Sequence, residues 1–280
     1  MINGLPGWEA GGSALTKGEG IVASTVTRDG FTLWYEVKGD GPAVIFPSRM
    51  RSEHSMLAEA LAASGYRVVR YKPRQVVGVM EAEDEAGGSW EPRSWTRFPT
   101  EVEIADLHAV ADAASVGDFV LAGYSGMAAL AGFLVGATKR AVGLMVGGFP
   151  LLSGADYWLG YVEGARAALL QAGLRDKADE HHLGILMYRE WAARDDAEML
   201  AALKGPKILW YGSMDGEPSC RMYDYVGGRA IARRVRDRSE QLRQAGFEVI
   251  EFEGLDHIAG LAEAPLVAPR LSAALAAAEW

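Results

Sequence analysis

Short apolar runs alternate with helical segments from residue 43 onward, and this alternation restricts the possible folds of the chain more than any other feature. The apolar runs have the length and composition of buried strands. They lie at Ala43–Phe46, Tyr66–Tyr71, Asp118–Ala122, Ala141–Val146, Lys207–Tyr211 and Phe247–Phe252. The helical segments lie at Glu53–Ala63, Thr100–Ala114, an alanine-rich stretch after residue 125, Ala230–Gln244 and Leu266–Ala278. Such repetition predicts an α/β fold with a mostly parallel central sheet flanked by helices.

Two regions depart from the alternation. Near the N-terminus, Ile21–Val26 and Phe31–Val37 flank Asp29-Gly30, a dipeptide typical of a β-hairpin. Residues 150–203 carry only helical patterns, which lie at Tyr161–Ala172, Gly184–Arg194 and Asp196–Leu203. We therefore predict one α/β core, residues 1–149 and 204–280, interrupted by a small helical cap of residues 150–203. Such a cap would cover the carboxyl edge of the sheet, where open α/β sheets bind ligands.

The composition is that of one ordinary globular domain. A chain of 280 residues with 49% hydrophobic residues can bury one sizeable core. Its net charge of −9 argues against nucleic-acid binding, since nucleic-acid binders usually carry a basic face. No apolar run reaches the ~20 residues that span a bilayer. Residues 1–20 also lack the pattern of a signal peptide. We expect a cytoplasmic protein without membrane insertion.

Metal and disulfide chemistry are not predicted. The one cysteine, Cys220, excludes an intramolecular disulfide and disfavours a cysteine-based zinc site. His181 and His182 are adjacent, and adjacent residues of a helix point about 100° apart, so they make a poor metal-binding pair. We expect no metal and no cofactor.

The candidate nucleophile is Ser125, on the turn Gly123-Tyr124-Ser125-Gly126. This turn follows the strand Asp118–Ala122 and precedes the alanine-rich helix, as in a nucleophile elbow. Such a turn places the hydroxyl clear of the sheet, at the positive N-terminus of the helix, where the N–H of Gly126 faces a developing oxyanion. The structural alternative is a tight strand–helix turn that Ser125 caps. Met127 stands where the elbow motif has a second small residue.

A carboxylate and a histidine that could serve this serine follow two later strands. Asp215 comes just after Lys207–Tyr211, and His257 comes just after Phe247–Phe252. Both should reach the same edge of the sheet as Ser125, because parallel strands end together. In this chain order the histidine takes the proton of the serine and the carboxylate orients the histidine. The three residues together predict nucleophilic catalysis.

Other residues compete for these roles with weaker patterns. Asp224, further along the same segment as Asp215, is the main rival for the carboxylate. Asp256 fits a solvated neighbour of His257. Of the remaining histidines, His54 and His108 lie in predicted helices near the start of the fold, and His181 and His182 lie in the predicted cap.

These motifs resemble the α/β-hydrolase superfamily from about Gly20 to the C-terminus. Beyond the elbow, three segments carry the resemblance. Gly39–Phe46 resembles the segment that leads into the family's oxyanion loop, and Ala63–Tyr71 resembles the next strand. Of the family's loop Asp-x-Arg-Gly-x-Gly, only Pro73-Arg74 and Gly78 remain. The resemblance implies the α/β-hydrolase fold and a Ser–Asp–His triad formed by Ser125, Asp215 and His257.

The oxyanion loop departs from the family pattern. Pro47-Ser48 replaces the usual His-Gly. The resemblance implies that Ser48 or Arg49 takes the position of the second oxyanion donor, beside Gly126. Pro47-Ser48 with Arg51 is also similar to a branch of bacterial hydrolases of undefined substrate.

The chain also resembles, more loosely, the acyl-carrier-protein thioesterases of the luminescence type. It lies in the short matches Arg51-Ser52-Glu53-His54, Arg70-Tyr71 and His182-Leu183-Gly184 before Arg189-Glu190. What it implies is a substrate with a long acyl chain or a thioester.

Large apolar and aromatic side chains in and before the predicted cap are candidates for a hydrophobic substrate pocket. They are Trp90, Trp95, Tyr124, Trp158, Tyr161, Met187 and Trp191. The alternative for each of those in the cap is that it belongs to the core of the cap.

The leading functional hypothesis is a serine hydrolase that cleaves an ester or thioester of a small molecule through an acyl-enzyme on Ser125. A second hypothesis keeps the fold but assigns a cofactor-free lyase or a hydrolase of carbon–carbon bonds, because His-Gly is missing and Met127 is large. A third assigns a ligand receptor on an inactive scaffold, which the intact Ser, Asp and His candidates disfavour. The cap and the C-terminal helix are candidate surfaces for a homodimer.

Overall fold

A computed structural model describes residues 21–48, 52–74, 100–152, 154–194, 196–216, 224 and 228–278. In this part of the chain one sheet forms the centre of the molecule. Its strands are β1 (Ile21–Val26), β2 (Thr32–Lys38), β3 (Ala43–Pro47), β4 (Arg67–Tyr71), β5 (Phe119–Tyr124), β6 (Ala141–Gly147), β7 (Lys207–Gly212) and β8 (Glu248–Phe252).

The strands follow the order β1-β2-β4-β3-β5-β6-β7-β8. The six strands β3 to β8 pair in parallel, whereas β2 pairs antiparallel with both β1 and β4. The predicted hairpin forms between β1 and β2, where Gly30 has φ 84° and donates its N–H to Thr27 O at 2.9 Å. The predicted α/β fold with a mostly parallel sheet is confirmed.

Helices cover both faces of the sheet. They are α1 (Ser52–Ala63), α2 (Thr100–Ala113), α3 (Gly126–Leu134), α4 (Gly154–Gln171), α5 (Arg175–Ala192), α6 (Asp196–Ala202), α7 (Ala230–Gln244), α8 (Ala259–Ala262) and α9 (Ala264–Ala277). A single 3₁₀ turn, Val135–Ala137, follows α3.

Two apolar cores lie on opposite faces of the sheet. The α2-side core is formed with α2, α3 and α7, through residues such as Leu107, Ala131 and Val235. The α9-side core is formed with α1, α8 and α9, through residues such as Leu57 and Leu271. Successive residues of a strand point to opposite faces, so every central strand contributes to both cores.

The strand β5 shows this alternation and determines where its last residues point. Phe119 and Leu121 belong to the α2-side core, whereas Val120, Ala122 and Tyr124 belong to the α9-side core. All six residues of β5 are buried. Tyr124 therefore points away from the α2-side face, and the next residue begins the turn into α3.

Between β6 and β7 the chain forms a helical insertion, which we define as residues 154–202. Among its described residues we find α4, α5 and α6 and no strand. Two of its helices begin earlier than predicted, α4 at Gly154 and α5 at Arg175. The polar first turns of α5 hid its start, because apolar periodicity begins only further along that helix. The helix α4 opens on Gly154, and glycine is a poor helix former.

The insertion packs on the body of the protein through a row of nearly parallel rings. Trp158 of α4 and Trp191 of α5 flank Phe149, with ring centroids 6.5 and 5.6 Å from it and interplanar angles of 1° and 14°. Tyr188 continues the row against Trp191 at 6.3 Å. Offset stacking of this kind is a favourable geometry for aromatic side chains.

The part of the chain that the structure describes shows neither a membrane-spanning helix nor a metal-binding cluster. There, no helix is both long and apolar enough to cross a membrane. The same residues hold no group of three or more histidine, cysteine, aspartate or glutamate side chains placed to bind a metal ion.

A buried ion pair ties the end of β4 to α2. Nε and Nη2 of Arg74 each donate to a carboxylate oxygen of Asp106 at 2.6 Å, and the Asp106 side chain is 1% exposed. Asp106→Asn is expected to lower the free energy of unfolding by about 2 kcal/mol, because it weakens two charge-assisted hydrogen bonds in the interior. The guanidinium then keeps only the carboxylate of Asp29 as countercharge, 2.7 Å from Nη1 and 57% exposed. Urea denaturation measures this change.

The matched control for Asp106 is Asp112→Asn. Asp112 also pairs with an arginine, Arg140, but its side chain is 70% exposed. Removing an exposed pair should change the free energy of unfolding by less than about 1 kcal/mol. Equal losses in the two variants would contradict a special role for the buried pair.

Candidate active site

Ser125 occupies the sharp turn between β5 and α3. Its backbone has φ 55° and ψ −127°, a conformation that is costly for a residue with a Cβ. The surrounding backbone holds it there: its N–H donates to Gly147 O at 2.8 Å, and its C=O accepts from Ala128 N at 2.9 Å. The turn thus has the strained geometry that was expected of a nucleophile elbow.

Gly123 makes this turn sterically feasible. A Cβ on Gly123 would lie 2.4 Å from Met127 O and 2.6 Å from its carbonyl carbon, because α3 turns back closely over the end of β5. Met127 itself is 2% exposed, so its side chain is accommodated inside the protein. The small residue that the motif usually has there is not needed for this turn to form.

Asp215, His257 and Ser125 form a continuous hydrogen-bonded chain. His257 Nδ1 lies 2.7 Å from Asp215 Oδ1, and His257 Nε2 lies 2.8 Å from Ser125 Oγ. Asp215 follows β7, His257 follows β8 and Ser125 follows β5, so three parallel strands end at one edge. With Nδ1 protonated, the imidazole donates to the carboxylate and accepts the proton of the serine.

Asp215 is held rigidly and away from water. Its side chain is 0% exposed, its N–H donates to Gly212 O, and its C=O accepts from Ala232 N, each at 3.0 Å. Burial raises the pKa of Asp215 above the usual value of a carboxyl group, and the hydrogen bond with His257 opposes this rise. A carboxylate placed this way stabilises a positive imidazolium strongly, because little solvent screens the pair.

The two rival carboxylates have other partners. Asp224 Oδ1 accepts from Ala230 N at 3.0 Å, at the start of α7. Asp256 Oδ1 accepts from the N–H groups of Ile258 and Ala259, at 3.0 and 2.8 Å. Each of these carboxylates therefore caps a helix, which leaves Asp215 as the partner of the histidine.

Comparison with known proteins adds a likeness in structure. No protein-family model matches the chain, and no curated protein matches it. An alpha/beta fold family hydrolase from Bacillus anthracis matches with a TM-score of 0.56 at 15% identity, covering 91% of this chain and 99% of that one. The chain has the α/β-hydrolase fold.

Two further solved structures show how varied the proteins with this α/β-hydrolase fold are. A bromoperoxidase from Bacillus anthracis has a TM-score of 0.56 at 16% identity, with 91% of this chain and 100% of that one covered. The esterase domain of a Rhodothermus marinus protein has a TM-score of 0.54 at 13% identity, with 91% and 97% covered. At such low identity the likeness establishes the fold, and the activity must be argued from the site.

Two of the three predicted oxyanion donors, Gly126 and Ser48, lie among the described residues. Gly126 is the first residue of α3, so its N–H has no acceptor within the helix and is available beside Ser125. The Ser48 N–H donates to Tyr71 O at 2.8 Å, one residue beyond the last β3–β4 pair. The predicted role of Ser48 as a backbone oxyanion donor is therefore wrong, because its N–H is already engaged. Arg49 lies outside the described residues and stays a prediction.

Tyr124 does not lie where it was predicted. It was expected to line the substrate pocket, but its side chain is 4% exposed and belongs to the α9-side core. Its hydroxyl donates to His257 O at 2.7 Å, beneath the triad. The period-2 alternation of β5 is the sequence signal that could have shown this orientation.

The aromatic residues of the insertion divide between core and partly open positions. Trp191 is 6% exposed and packs against Phe133 and Phe149, so it belongs to the core that joins insertion and body. Trp158 and Tyr161 are half-buried and meet edge to face at 6.0 Å, and they remain candidates for a pocket. Trp90, Trp95 and the side chain of Met187 lie outside the described residues.

Gly147 is a site residue that the sequence reasoning missed. Its C=O accepts the N–H of the nucleophile, and a Cβ there would lie 2.2 Å from the ring of Trp210. The paired glycines Gly147-Gly148 at the carboxyl end of β6 are the signal that could have drawn attention to it.

Proposed function

We propose that this chain is a serine hydrolase that cleaves a carboxylic ester or thioester through an acyl-enzyme on Ser125. The observation that carries the proposal is the chain of contacts from Asp215 through His257 to Ser125, at 2.7 and 2.8 Å. These are hydrogen-bonding distances for a base that must take the proton of a serine.

The first half of the reaction forms the acyl-enzyme. Ser125 Oγ attacks the carbonyl carbon while His257 Nε2 takes the hydroxyl proton, and Asp215 stabilises the imidazolium that results. The tetrahedral intermediate then collapses, the bond between the carbonyl carbon and the leaving oxygen or sulfur breaks, and His257 gives the proton to the leaving group.

The second half of the reaction regenerates the enzyme. Water attacks the acyl carbon while His257 takes one of its protons, and the bond to Ser125 Oγ breaks as His257 returns that proton to the serine. In both halves the Gly126 N–H donates to the oxyanion, with the Arg49 N–H as the proposed second donor. The proposed reaction uses no cofactor.

We propose a hydrophobic acyl or aromatic group as the substrate class. The support is the position of the insertion, which follows β6 at the edge where Ser125 lies and presents the half-buried rings of Trp158 and Tyr161. We propose that the insertion acts as a cap that shields the acyl group from water. The esterase domain among the structural neighbours is consistent with the cleavage of an ester, and it carries no information on the acyl group.

A second function, a lyase or a hydrolase of carbon–carbon bonds, is favoured by one observation. The Ser48 amide is engaged by Tyr71 O, so one of the two predicted second oxyanion donors is not free, and Pro47-Ser48 stands where the family has His-Gly. If this function is correct, Ser125→Ala should retain much of the activity on the true substrate. Loss of that activity would favour the acyl-enzyme.

Covalent labelling tests the proposed nucleophile directly. A fluorophosphonate probe should form one adduct on the wild-type protein, which peptide mass spectrometry should locate on Ser125. Ser125→Ala should give no adduct. The control Ser64→Ala removes an exposed serine whose hydroxyl donates to Ala60 O, and it should label like the wild type.

Substrate profiling supplies the second half of the test. Activated esters and acyl thioesters of increasing chain length should show a rising kcat/KM as more of the acyl group is buried. If the wild type neither forms an adduct nor turns over any ester or thioester, the proposal is wrong. Ligand binding without any turnover would instead favour a receptor.

A further inference from the structure

The side chain of Tyr124 connects the nucleophile turn to the loop that carries the base. Tyr124 is the last residue of β5 and immediately precedes Ser125. Its hydroxyl donates to the backbone C=O of His257 at 2.7 Å, and the centroids of the two rings are 5.4 Å apart. One side chain thus links the main chain of the base to the strand that carries the nucleophile.

Two glycines leave the space that this side chain occupies. A Cβ on Gly148 would lie 2.7 Å from the Tyr124 ring, and a Cβ on Gly260 would lie 2.4 Å from the Tyr124 hydroxyl oxygen. Gly148 follows β6, whereas Gly260 lies in α8, so two separate segments leave room for one ring. Trp210 closes a third side, with its ring centroid 5.6 Å from that of Tyr124.

The hydroxyl of Tyr124 keeps its proton and can therefore donate a hydrogen bond at any working pH. Burial, with smaller effects from the charges of Asp215 and Asp256, raises the pKa of Tyr124 well above its usual value. The phenol therefore keeps its proton over the whole range in which an enzyme of this kind works. The contact with His257 is accordingly a stable anchor and does not switch with pH.

We propose that Tyr124 is a positioning residue for His257: its hydrogen bond to the His257 carbonyl sets the imidazole at the correct distance from Ser125 and Asp215. This inference rests on the proposed function of the triad. The segment that carries His257 is also held by its neighbour Asp256, whose carboxylate accepts hydrogen bonds from the N–H groups of Ile258 and Ala259. Tyr124 holds the carbonyl of His257 itself, so losing this contact lets the ring of the base move.

Tyr124→Phe tests the inference, because it removes one oxygen and keeps the ring. We expect kcat on an activated ester to fall about tenfold, the effect of one lost hydrogen bond, while KM stays unchanged. We also expect the ascending limb of the pH profile to move to lower pH, since an imidazolium held less closely by the Asp215 carboxylate is less stabilised. A merely structural role would lower the thermal midpoint without moving this limb.

Tyr66→Phe is a closely matched control. Tyr66 is 6% exposed, lies in the same α9-side core, and its hydroxyl also donates to a backbone carbonyl, Ser272 O at 3.2 Å. Its acceptor, Ser272, lies in α9, whereas Ser125, Asp215 and His257 follow β5, β7 and β8. This variant should lose stability to a similar degree and keep the wild-type kcat and pH profile.

Gly260→Ala supplies an independent variant that keeps the tyrosine. The new methyl group would displace the Tyr124 hydroxyl from the His257 carbonyl, so we expect the same fall in kcat and the same direction of the pH shift. In the Tyr124→Phe background the methyl group has no hydroxyl to displace, so Gly260→Ala should add little. An equal effect in both backgrounds would overturn the proposed coupling.

A measurement without substrate separates this inference from the proposed function. NMR titration of the His257 ring should show a lower midpoint in Tyr124→Phe than in the wild type, and no change in Tyr66→Phe. If the wild type proves inactive on every ester and thioester, the proposed function fails and this titration still decides the inference. An unchanged titration together with an unchanged kcat in Tyr124→Phe would refute the positioning role.

Discussion

Asp215→Asn is expected to lower kcat on an activated ester about 10⁴-fold, with little change in KM. An asparagine amide can donate to Nδ1, which would place the imidazole proton on Nε2, where it cannot accept the proton of Ser125. The present contact of 2.7 Å between Nδ1 and Asp215 Oδ1 requires the opposite tautomer. Steady-state kinetics over a range of ester concentrations measures both constants.

The variant should not be less stable than the wild type at neutral pH. The pKa of Asp215 is raised in the folded protein, chiefly by burial, so the folded state binds a proton more readily than the unfolded state. By linkage, the charged carboxylate opposes folding at pH values above its pKa in the unfolded chain, and a neutral amide removes that penalty. An unchanged or higher thermal midpoint would therefore accompany the loss of activity.

Asp224→Asn is the control for this prediction. Asp224 is the rival carboxylate, and its Oδ1 accepts from Ala230 N, a role that an asparagine oxygen also fills. It should retain the wild-type kcat. Loss of activity in Asp224→Asn with retention in Asp215→Asn would reverse the assignment of the triad carboxylate.

Gly123→Ala should distort the turn at Ser125 more severely than the addition of one methyl group suggests. The new Cβ would come within 2.4 to 2.8 Å of three backbone atoms, in Met127 and Ala128, and backbone cannot rotate aside as a side chain can. The N-terminus of α3 must shift, and Ser125 with it. We expect kcat to fall about 100-fold, as for a displacement of about 1 Å at a reacting group, and the thermal midpoint to fall as well.

Gly117→Ala is the matched control for the turn. Gly117 lies just before β5, and a Cβ there would meet no atom within 4 Å. This variant should keep full activity and be as stable as the wild type or slightly more stable, because alanine restricts the unfolded chain. A full-activity Gly123→Ala variant would show that the turn can relax without moving the serine.

The strands, and the meeting of Ser125, Asp215 and His257 at one edge of the sheet, could be predicted from the sequence because their signals are local. The bounds of β1 and α7 agree with the predicted Ile21–Val26 and Ala230–Gln244, where apolar periodicity starts and stops sharply. Asp215 and His257 were predicted from a topological rule, that parallel strands end at one edge. That rule needs no knowledge of how the side chains pack.

The parts that were predicted wrongly depend on contacts between distant segments. Tyr124 was assigned to the pocket because it is aromatic and next to Ser125, but Gly148 and Gly260 leave its space on the other face of the sheet. The resemblance implied Ser48 or Arg49 as the second oxyanion donor, but the Ser48 N–H donates to Tyr71 O on the neighbouring strand. The residues that decide these two positions are distant in the sequence, so the residues next to Tyr124 and Ser48 do not reveal them.

The row of rings under the insertion has a consequence for exchanging parts between proteins of this fold. Phe149, the ring between Trp158 and Trp191, lies two positions after Gly147, whose carbonyl holds the amide of Ser125. Insertion and nucleophile are therefore attached to the same few residues after β6. A chimaera that joins a foreign insertion at Phe149 would disturb Ser125, whereas junctions inside α4 and α5 would leave it in place.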